Sequence, residues 1–371
     1  MLKICHLTSA HIRYDVRIFL KECVSLAHAG YDVTLVCADD KDNEIKDGVY
    51  IISTRFVPKN RIHRLRCAKK ALLKSAREID ADVYHFHDPD LLSVGYSLKK
   101  QGKTVIYDTH EDVPRQIMGK TWIPRIFRTL LAYAFEKYEN YHAKHFDHII
   151  TATPHIRTRF VKLNPRTTTV NNYPLHAEFA IPSRWDHKKS ECCYIGCIDV
   201  IRGIYQIINS LAIAQIPTHF CGTFESAVVQ EKASALAGFS YIKYHGQLSR
   251  SDVQNILSQC KIGLITYLPD GNHIASQPNK LFEYMAAGIP VVASNFPLWK
   301  EIVEENHCGI CVDPENPHEI ADAIRLILAN DEHARVMGEN GKKAITEKYN
   351  WSIEEAVLLN IYRSLPTVLK K

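Results

Sequence analysis

No stretch of this 371-residue sequence reaches the roughly 18 consecutive apolar residues that a membrane-spanning helix needs, so no transmembrane segment is expected. The opening residues, Met1 to Ala10, are too short and too strand-like for a signal peptide, and the expectation is a cytoplasmic protein. A Gly-x-Gly-x-x-Gly loop is missing after the first apparent strand, which argues against a dinucleotide-binding dehydrogenase. Cys308 and Cys311 have the spacing of a zinc or redox pair, but no second cysteine pair or histidine pair accompanies them. Most of the 11 cysteines, among them Cys5, Cys37, Cys192, Cys193 and Cys260, lie in apolar segments where a reduced thiol acts as a small hydrophobe. No nucleic-acid module or aromatic platform is present, so nucleic acid is not expected as a partner.

What is present suits a soluble α/β protein: 46% hydrophobic and 23% charged residues, in a chain long enough for two domains. The charge is uneven. Residues 1 to 180 hold 28 Lys and Arg against 20 Asp and Glu, whereas the remainder holds 18 against 21. Much of the excess lies in Arg55, Lys59, Arg61, Arg64, Arg66, Lys69, Lys70, Lys74 and Arg77. Such a run is either a solvated helix face or a surface for anionic lipid headgroups or a lipid-diphosphate acceptor.

The most informative stretch is Ser276 to Ser294. Pro278 sets φ where a helix can begin, Lys280 and Glu283 lie on one face of it, and Gly288 and Pro290 stop it before a buried-looking strand, Val291 to Ser294. The helix start offers free backbone N–H groups, Lys280 a full positive charge, and Glu283 two acceptors for vicinal hydroxyls. Phosphate plus diol points to a nucleotide.

This stretch, with its Ala287-Gly288-Ile289-Pro290-Val291-Val292 run, resembles the donor-nucleotide helix of the family-4 retaining glycosyltransferases of the GT-B fold. The resemblance continues at residues 194 to 204, where a strand, Gly196 and the pair Arg202-Gly203 lead into a helix, and it spans nearly the whole chain. It implies two Rossmann-like, doubly wound α/β domains facing a central cleft. The acceptor-side domain would cover residues 1–175 plus a crossover helix at about 352–371, and the donor-binding domain residues 190–351. It further implies that Glu283 holds the ribose and Arg202 the diphosphate, that Gly196, Ser276, Gln277, Asn279 and Lys280 line the donor site, and that His110 reaches the donor sugar. Two positions depart from the family pattern: Ala275 stands where many members carry a Glu, and Cys197 where an Arg follows the first glycine.

The N-terminal half reads as a βαβ unit: strand Lys3 to Leu7, helix Ile18 to Ala29, strand Val33 to Ala38. Asp15 and Arg17, in the loop after the first strand, either shape the acceptor side or cap the helix and pair with each other. Residues 40 to 48 read as a polar loop. Asp88-Pro89-Asp90 resembles a metal-binding Asp-x-Asp but is expected to cap the helix starting at Leu91. His110 stands at a strand's carboxyl end, where ligands of open parallel sheets bind, with Glu111 beside it to orient the imidazole. Trp122 to Phe146 reads as an amphipathic helix whose Ile126, Phe127, Leu130, Leu131, Phe135 and Tyr138 belong mostly to the core, with Arg125 and Arg128 leaving a membrane surface open as an alternative.

Together these readings predict a retaining glycosyltransferase that moves a sugar from a nucleotide-diphosphate sugar to a lipid-linked or saccharide acceptor, in surface polysaccharide or lipopolysaccharide O-antigen assembly. His110, Arg202 and Lys280 are its expected catalytic residues. No metal and no other cofactor are expected, since side chains supply the cations. A nucleotide-sugar epimerase and an inactive nucleotide-binding scaffold are the alternatives.

Overall fold

The computed structural model describes residues 1–57, 63, 67–120, 123–175 and 184–366. Two compact units emerge: Met1–Asn172 with Trp351–Lys371, and Tyr173–Asn350.

The first unit is built on an eight-stranded sheet in the order β3-β4-β2-β1-β5-β6-β7-β8. Its strands are β1 (Lys3–Thr8), β2 (Asp32–Cys37), β3 (Glu44–Lys46), β4 (Val49–Ser53), β5 (Val83–Phe86), β6 (Thr104–Thr109), β7 (His148–Thr151) and β8 (Thr167–Thr169). All neighbours are parallel except β3 and β4, so the polar stretch read as a loop contributes a short antiparallel edge strand. β1, β5 and β6 are buried along nearly their whole length, as a doubly wound sheet covered on both faces requires, and they carry the polar His6, His85 and Asp108 inside. The expected first helix begins as a wide, π-type turn over Val16–Cys23 and continues as Val24–His28. Of the basic run, helix Lys69–Ile79 carries Lys69, Lys70, Lys74 and Arg77; Lys59, Arg61, Arg64 and Arg66 lie outside the described residues.

The second unit has six parallel strands in the order β11-β10-β9-β12-β13-β14: β9 (Lys189–Ile195), β10 (Thr218–Cys221), β11 (Ile242–Gly246), β12 (Cys260–Ile265), β13 (Val291–Ser294) and β14 (Gly309–Val312). The chain starts in the middle, builds outward to β11, then crosses back to β12. This is the strand order of a dinucleotide-type fold, and the reversal between β9 and β12 opens a crevice at their carboxyl ends. In the first unit the equivalent reversal falls between β1 and β5.

One amphipathic helix departs from expectation. In helix Arg125–Ala143 the side chains of Ile126, Phe127, Leu130, Leu131 and Tyr138 are exposed rather than core, by 76% and 64% for the first two, while Phe135 packs against the interior. The segment is helical, as its 3.6-residue period predicts, but much of its apolar stripe has no tertiary partner among the described residues. Trp122 lies outside them.

Candidate functional site

In the second unit the site is assembled where β9 and β12 end. Gly196 follows β9 with φ +105°, and a Cβ there would come to 3.3 Å from the Lys280 ammonium. Gly203 has φ +73° and lies against the Thr266 carbonyl, so close that a Cβ would sit 2.0 Å from it. A side chain at either position would therefore fill space that backbone and lysine now share.

Helix Asn279–Ala286 begins after Pro278, as the sequence predicts. Tyr284, buried in the core, accepts a hydrogen bond from the Ile195 N–H at 3.0 Å, which fixes the helix against the end of β9. Trp299 donates to the Ser276 carbonyl at 2.8 Å and fixes the segment leading into the helix. The Lys280 Nζ is thereby held 4.0 Å from the centre of the Tyr194 ring and 5.3 Å from that of Tyr267. Burial and the neighbouring Arg202 push the pKa of this lysine down to about 7. Arg202 pairs with Asp199 and lies 5.6 Å from the Tyr267 ring centre. Burial works against its charge, but Tyr267 and Asp199 more than offset this and hold it firmly protonated.

Among the described residues, four buried polar atoms in this region make no hydrogen bond: Lys280 Nζ, Gln277 Oε1, His273 Nδ1 and Thr266 Oγ1. Buried polar groups are nearly always paired, so such a concentration at a strand-end crevice marks a place prepared for a polar ligand. Glu283, half-buried and near enough to Lys280 to bias its charge, sits one helical turn further on. Asn279 is exposed at the helix start and Ser276 donates to the His273 carbonyl at 2.9 Å. The expected donor-side residues thus share one region. His273, Thr266, Tyr194 and Tyr267 join them and were not anticipated; His273 carried a signal, since it precedes the helix start by only a few residues.

In the first unit, His110 follows β6 and stands at the carboxyl side of the sheet, half-buried. Its Nε2 bonds Asp108 at 2.8 Å. Asp108, not Glu111, orients the imidazole: Glu111 lies past the end of β6 and accepts from Gln116 instead. Arg17 is 4% exposed, so it does not reach an acceptor; two of its N–H groups grip Asp108 at 3.0 and 2.9 Å and a third donates to the Val170 carbonyl at 2.8 Å. Asp15 caps the first helix, accepting from the Arg17 and Ile18 N–H groups at 2.9 Å each, and does not pair with the Arg17 guanidinium. Its other oxygen faces His11 at 3.3 Å.

Asp88 makes no side-chain cap; it ties the loop after β1, accepting from Thr8 Oγ1 at 2.9 Å and the Ser9 N–H at 2.6 Å. His11 lies between Asp15 and Asp88, 3.5 Å from the latter, and its ring centre is 5.1 Å from that of His110. Burial opposes the charge on His11, but these two carboxylates raise its pKa. The sequence does not single out this second histidine of the strand-end cluster, because Asp88 and His110 reach it from loops far away in the chain.

Two doubly wound sheets, one with glycines and cations gathered where its strand order reverses, define a two-domain α/β architecture of the kind that takes ligands at its strand ends. Family comparison agrees in detail: the Glycosyltransferase Family 4 model matches residues 17–172 and the Glycosyl transferases group 1 model residues 178–344. The chain belongs to the family-4 glycosyltransferases of the GT-B fold. A GDP-mannose-dependent alpha-(1-6)-phosphatidylinositol monomannoside mannosyltransferase of Mycobacterium tuberculosis is 33% identical over 81 residues, 22% of this chain, and the match spans 21% of that protein's length. Sucrose-phosphate synthase of Thermosynechococcus elongatus, 16% identical, superposes with a TM-score of 0.77 over 98% of both chains. HepE of Anabaena, solved in complex with UDP-glucose, is 14% identical with a TM-score of 0.73 over 98% of this chain and 100% of its own. These two structures share the fold. Among the described residues no helix is long and apolar enough to cross a membrane.

Proposed function

We propose that this chain transfers a sugar from a nucleotide-diphosphate sugar to an acceptor hydroxyl with retention of anomeric configuration and without a metal. The observation that carries this reading is Lys280: a buried ammonium with no hydrogen-bond partner among the described residues, held beside Gly196 at the carboxyl end of β9. Burying such a cation alone is unfavourable, and a diphosphate would relieve it. Arg202 and the start of helix Asn279–Ala286 add positive potential in the same place, where negative charge develops on the leaving diphosphate as the glycosidic bond breaks. Glu283 would accept from the ribose hydroxyls. His110, held by Asp108, would orient the sugar, and a leaving phosphate oxygen would take the acceptor's proton. A GDP-mannose-dependent relative and a neighbour solved with UDP-glucose support a nucleotide-diphosphate donor.

The acceptor we infer is lipid-linked or a saccharide, in surface polysaccharide or lipopolysaccharide O-antigen assembly at the cytoplasmic face of the membrane. The support is the exposed apolar face of helix Arg125–Ala143, where Ile126, Phe127, Leu130 and Leu131 stand beside Arg125 and Arg128, a composition suited to resting on anionic lipid.

The test is a thermal-shift panel of UDP, GDP, ADP, CMP and their sugar conjugates, with and without a chelator, followed by NMR of the product's anomeric centre. Stabilisation by one diphosphate that survives chelation is expected. No shift with any nucleotide would favour an inactive scaffold, and inverted product would remove the retaining assignment.

A further inference from the structure

Beneath His110 lies a set of titratable groups that the transfer reaction does not use. In the parallel register His6 of β1 stands level with His85 of β5, and Phe86 level with Tyr107 of β6, which brings His87 level with Asp108. The side chains of His6, His85, His87 and Asp108 are buried beneath Arg17 and Glu22 of helix Val16–Cys23 and Tyr362 of helix Trp351–Arg363. Six of these groups form a line. Glu22 Oε2 is 3.8 Å from His85 Nε2; His85 Nδ1 is 2.8 Å from the Tyr362 hydroxyl; that hydroxyl is 3.2 Å from His6 Nε2; His6 Nδ1 is 2.9 Å from His87 Nε2; His87 Nδ1 is 3.1 Å from Asp108.

The direction of this line is forced by counting protons. Burial keeps the three imidazoles neutral, so each has one donor and one acceptor. Asp108 receives two N–H groups of Arg17, which marks it as the ionised, acceptor-only end despite its burial. His87 therefore donates from Nδ1 and accepts at Nε2. His6 must then donate from Nδ1 and accept at Nε2, which makes Tyr362 the donor to His6 and the acceptor from His85. His85 Nε2 is left as a buried lone pair that makes no hydrogen bond among the described residues, 3.8 Å from Glu22, whose Oε1 lies 3.1 Å from Arg17 Nε. The hydrogen-bonded part of the line therefore begins at His85 and ends at Asp108.

Glu22, His6, His85 and His87 also lie within 4.8 Å of one another, a spacing that could hold a cation. A metal would require acceptor lone pairs on both His6 Nδ1 and His87 Nε2, now committed to each other, and would stand beside the Arg17 guanidinium, 3.1 Å from Glu22. The donor set suits protons better.

We propose that His85, Tyr362, His6, His87 and Asp108 form a one-way hydrogen-bond chain that holds Asp108 as an acceptor and so fixes the His110 ring through its Nε2–H on Asp108. His6, His85 and Tyr362 are positioning residues that act through Asp108.

The first test is spectroscopic and independent of any activity. Nitrogen-15 NMR of histidine-labelled, tag-free protein is expected to show His6, His85 and His87 as neutral Nδ1–H tautomers. An Nε2–H tautomer or imidazolium at His87, or stoichiometric zinc in the purified chain, would overturn the proposal; these readings are made on the wild type and need no variant to fold. Tyr362→Phe keeps the ring and cuts the chain. It is expected to alter the His6 and His85 nitrogen signals and, on the reading of His110 as a donor-sugar residue, to lower kcat about tenfold with diphosphate affinity unchanged. Unaltered His6 and His85 signals in Tyr362→Phe would remove Tyr362 as the connector. Correct tautomers with an unchanged kcat would refute the positioning role alone, and absence of any nucleotide effect in the wild type would count against the transferase reading instead.

Discussion

Lys280 stands 4.0 Å from the centre of the Tyr194 ring, a cation–π contact that compensates part of the cost of burying its ammonium. The folded-state pKa, lowered to about 7 by burial and by Arg202, makes diphosphate binding proton-linked. A bound diphosphate favours the charged lysine, so the complex holds that proton more tightly than the free protein does. Affinity should be flat below pH 7 and fall as pH rises above it, by up to about tenfold per unit, with proton uptake visible by calorimetry in buffers of different ionisation heat. Lys280→Ala should weaken binding by about 10- to 100-fold and abolish the pH dependence. An unchanged pH profile in that variant would sink the assignment.

Glu283 is expected to read the ribose. A carboxylate that accepts from two hydroxyls is worth about 1.5–3 kcal/mol per bond, so Glu283→Ala should remove most nucleotide-dependent stabilisation. The sharper check is a 2′-deoxynucleoside diphosphate. The wild type should discriminate against it, and Glu283→Ala should not; equal discrimination by both would place the ribose elsewhere.

Acid should loosen the protein through its neutral buried histidines. His87 and His148 have pKa values lowered to about 4, both chiefly by burial. The unfolded chain takes up these protons first as pH falls, so their contribution is fully present above about pH 6.5 and is lost as pH falls through about 4, at most roughly 3 kcal/mol each. Melting temperatures measured from pH 8 to pH 4 should decline most steeply below 6.5. His148→Gln, which keeps a polar group near Thr168, should flatten that decline; an identical slope would contradict the linkage.

The exposed stripe of helix Arg125–Ala143 should bind anionic vesicles. Phe127→Asp and Leu130→Asp, at positions 64% and 65% exposed, should leave the melting temperature nearly unchanged while reducing flotation with phosphatidylglycerol vesicles. Binding should also weaken with salt, because Arg125 and Arg128 contribute through screened charge. Equal flotation of wild type and variants would remove the membrane role from this helix.

The donor-side helix was legible from residues alone because its signals are local. Pro278, Lys280, Glu283, Gly288 and Pro290 act within one turn or at one boundary, and backbone stereochemistry and helix caps operate over that range. The same holds for the restart of the α/β pattern at Cys192 and for the apolar strands Val291–Ser294 and Lys3–Thr8. Residue order also placed His110 at a strand end, and an Asp two positions earlier, on the same side of β6, was a usable sign of its true partner.

Folding alone settled matters that depend on which distant segments meet. Arg17 could have faced an acceptor or paired with Asp15; the approach of β6 gave it Asp108 and buried it. Asp88 could have capped a helix, but the loop after β1 arrived with three donors, the Thr8 hydroxyl and the Ser9 and Ala10 N–H groups. The stripe on Arg125–Ala143 has a periodicity that any core helix shares, and only the packing around it shows that much of it is left uncovered. His85 and Tyr362 bond across 277 residues of chain. Local preferences say which residues form a strand or a helix, whereas burial and hydrogen-bond satisfaction are properties of neighbours in space, and those neighbours exist only once the sheet has closed its register.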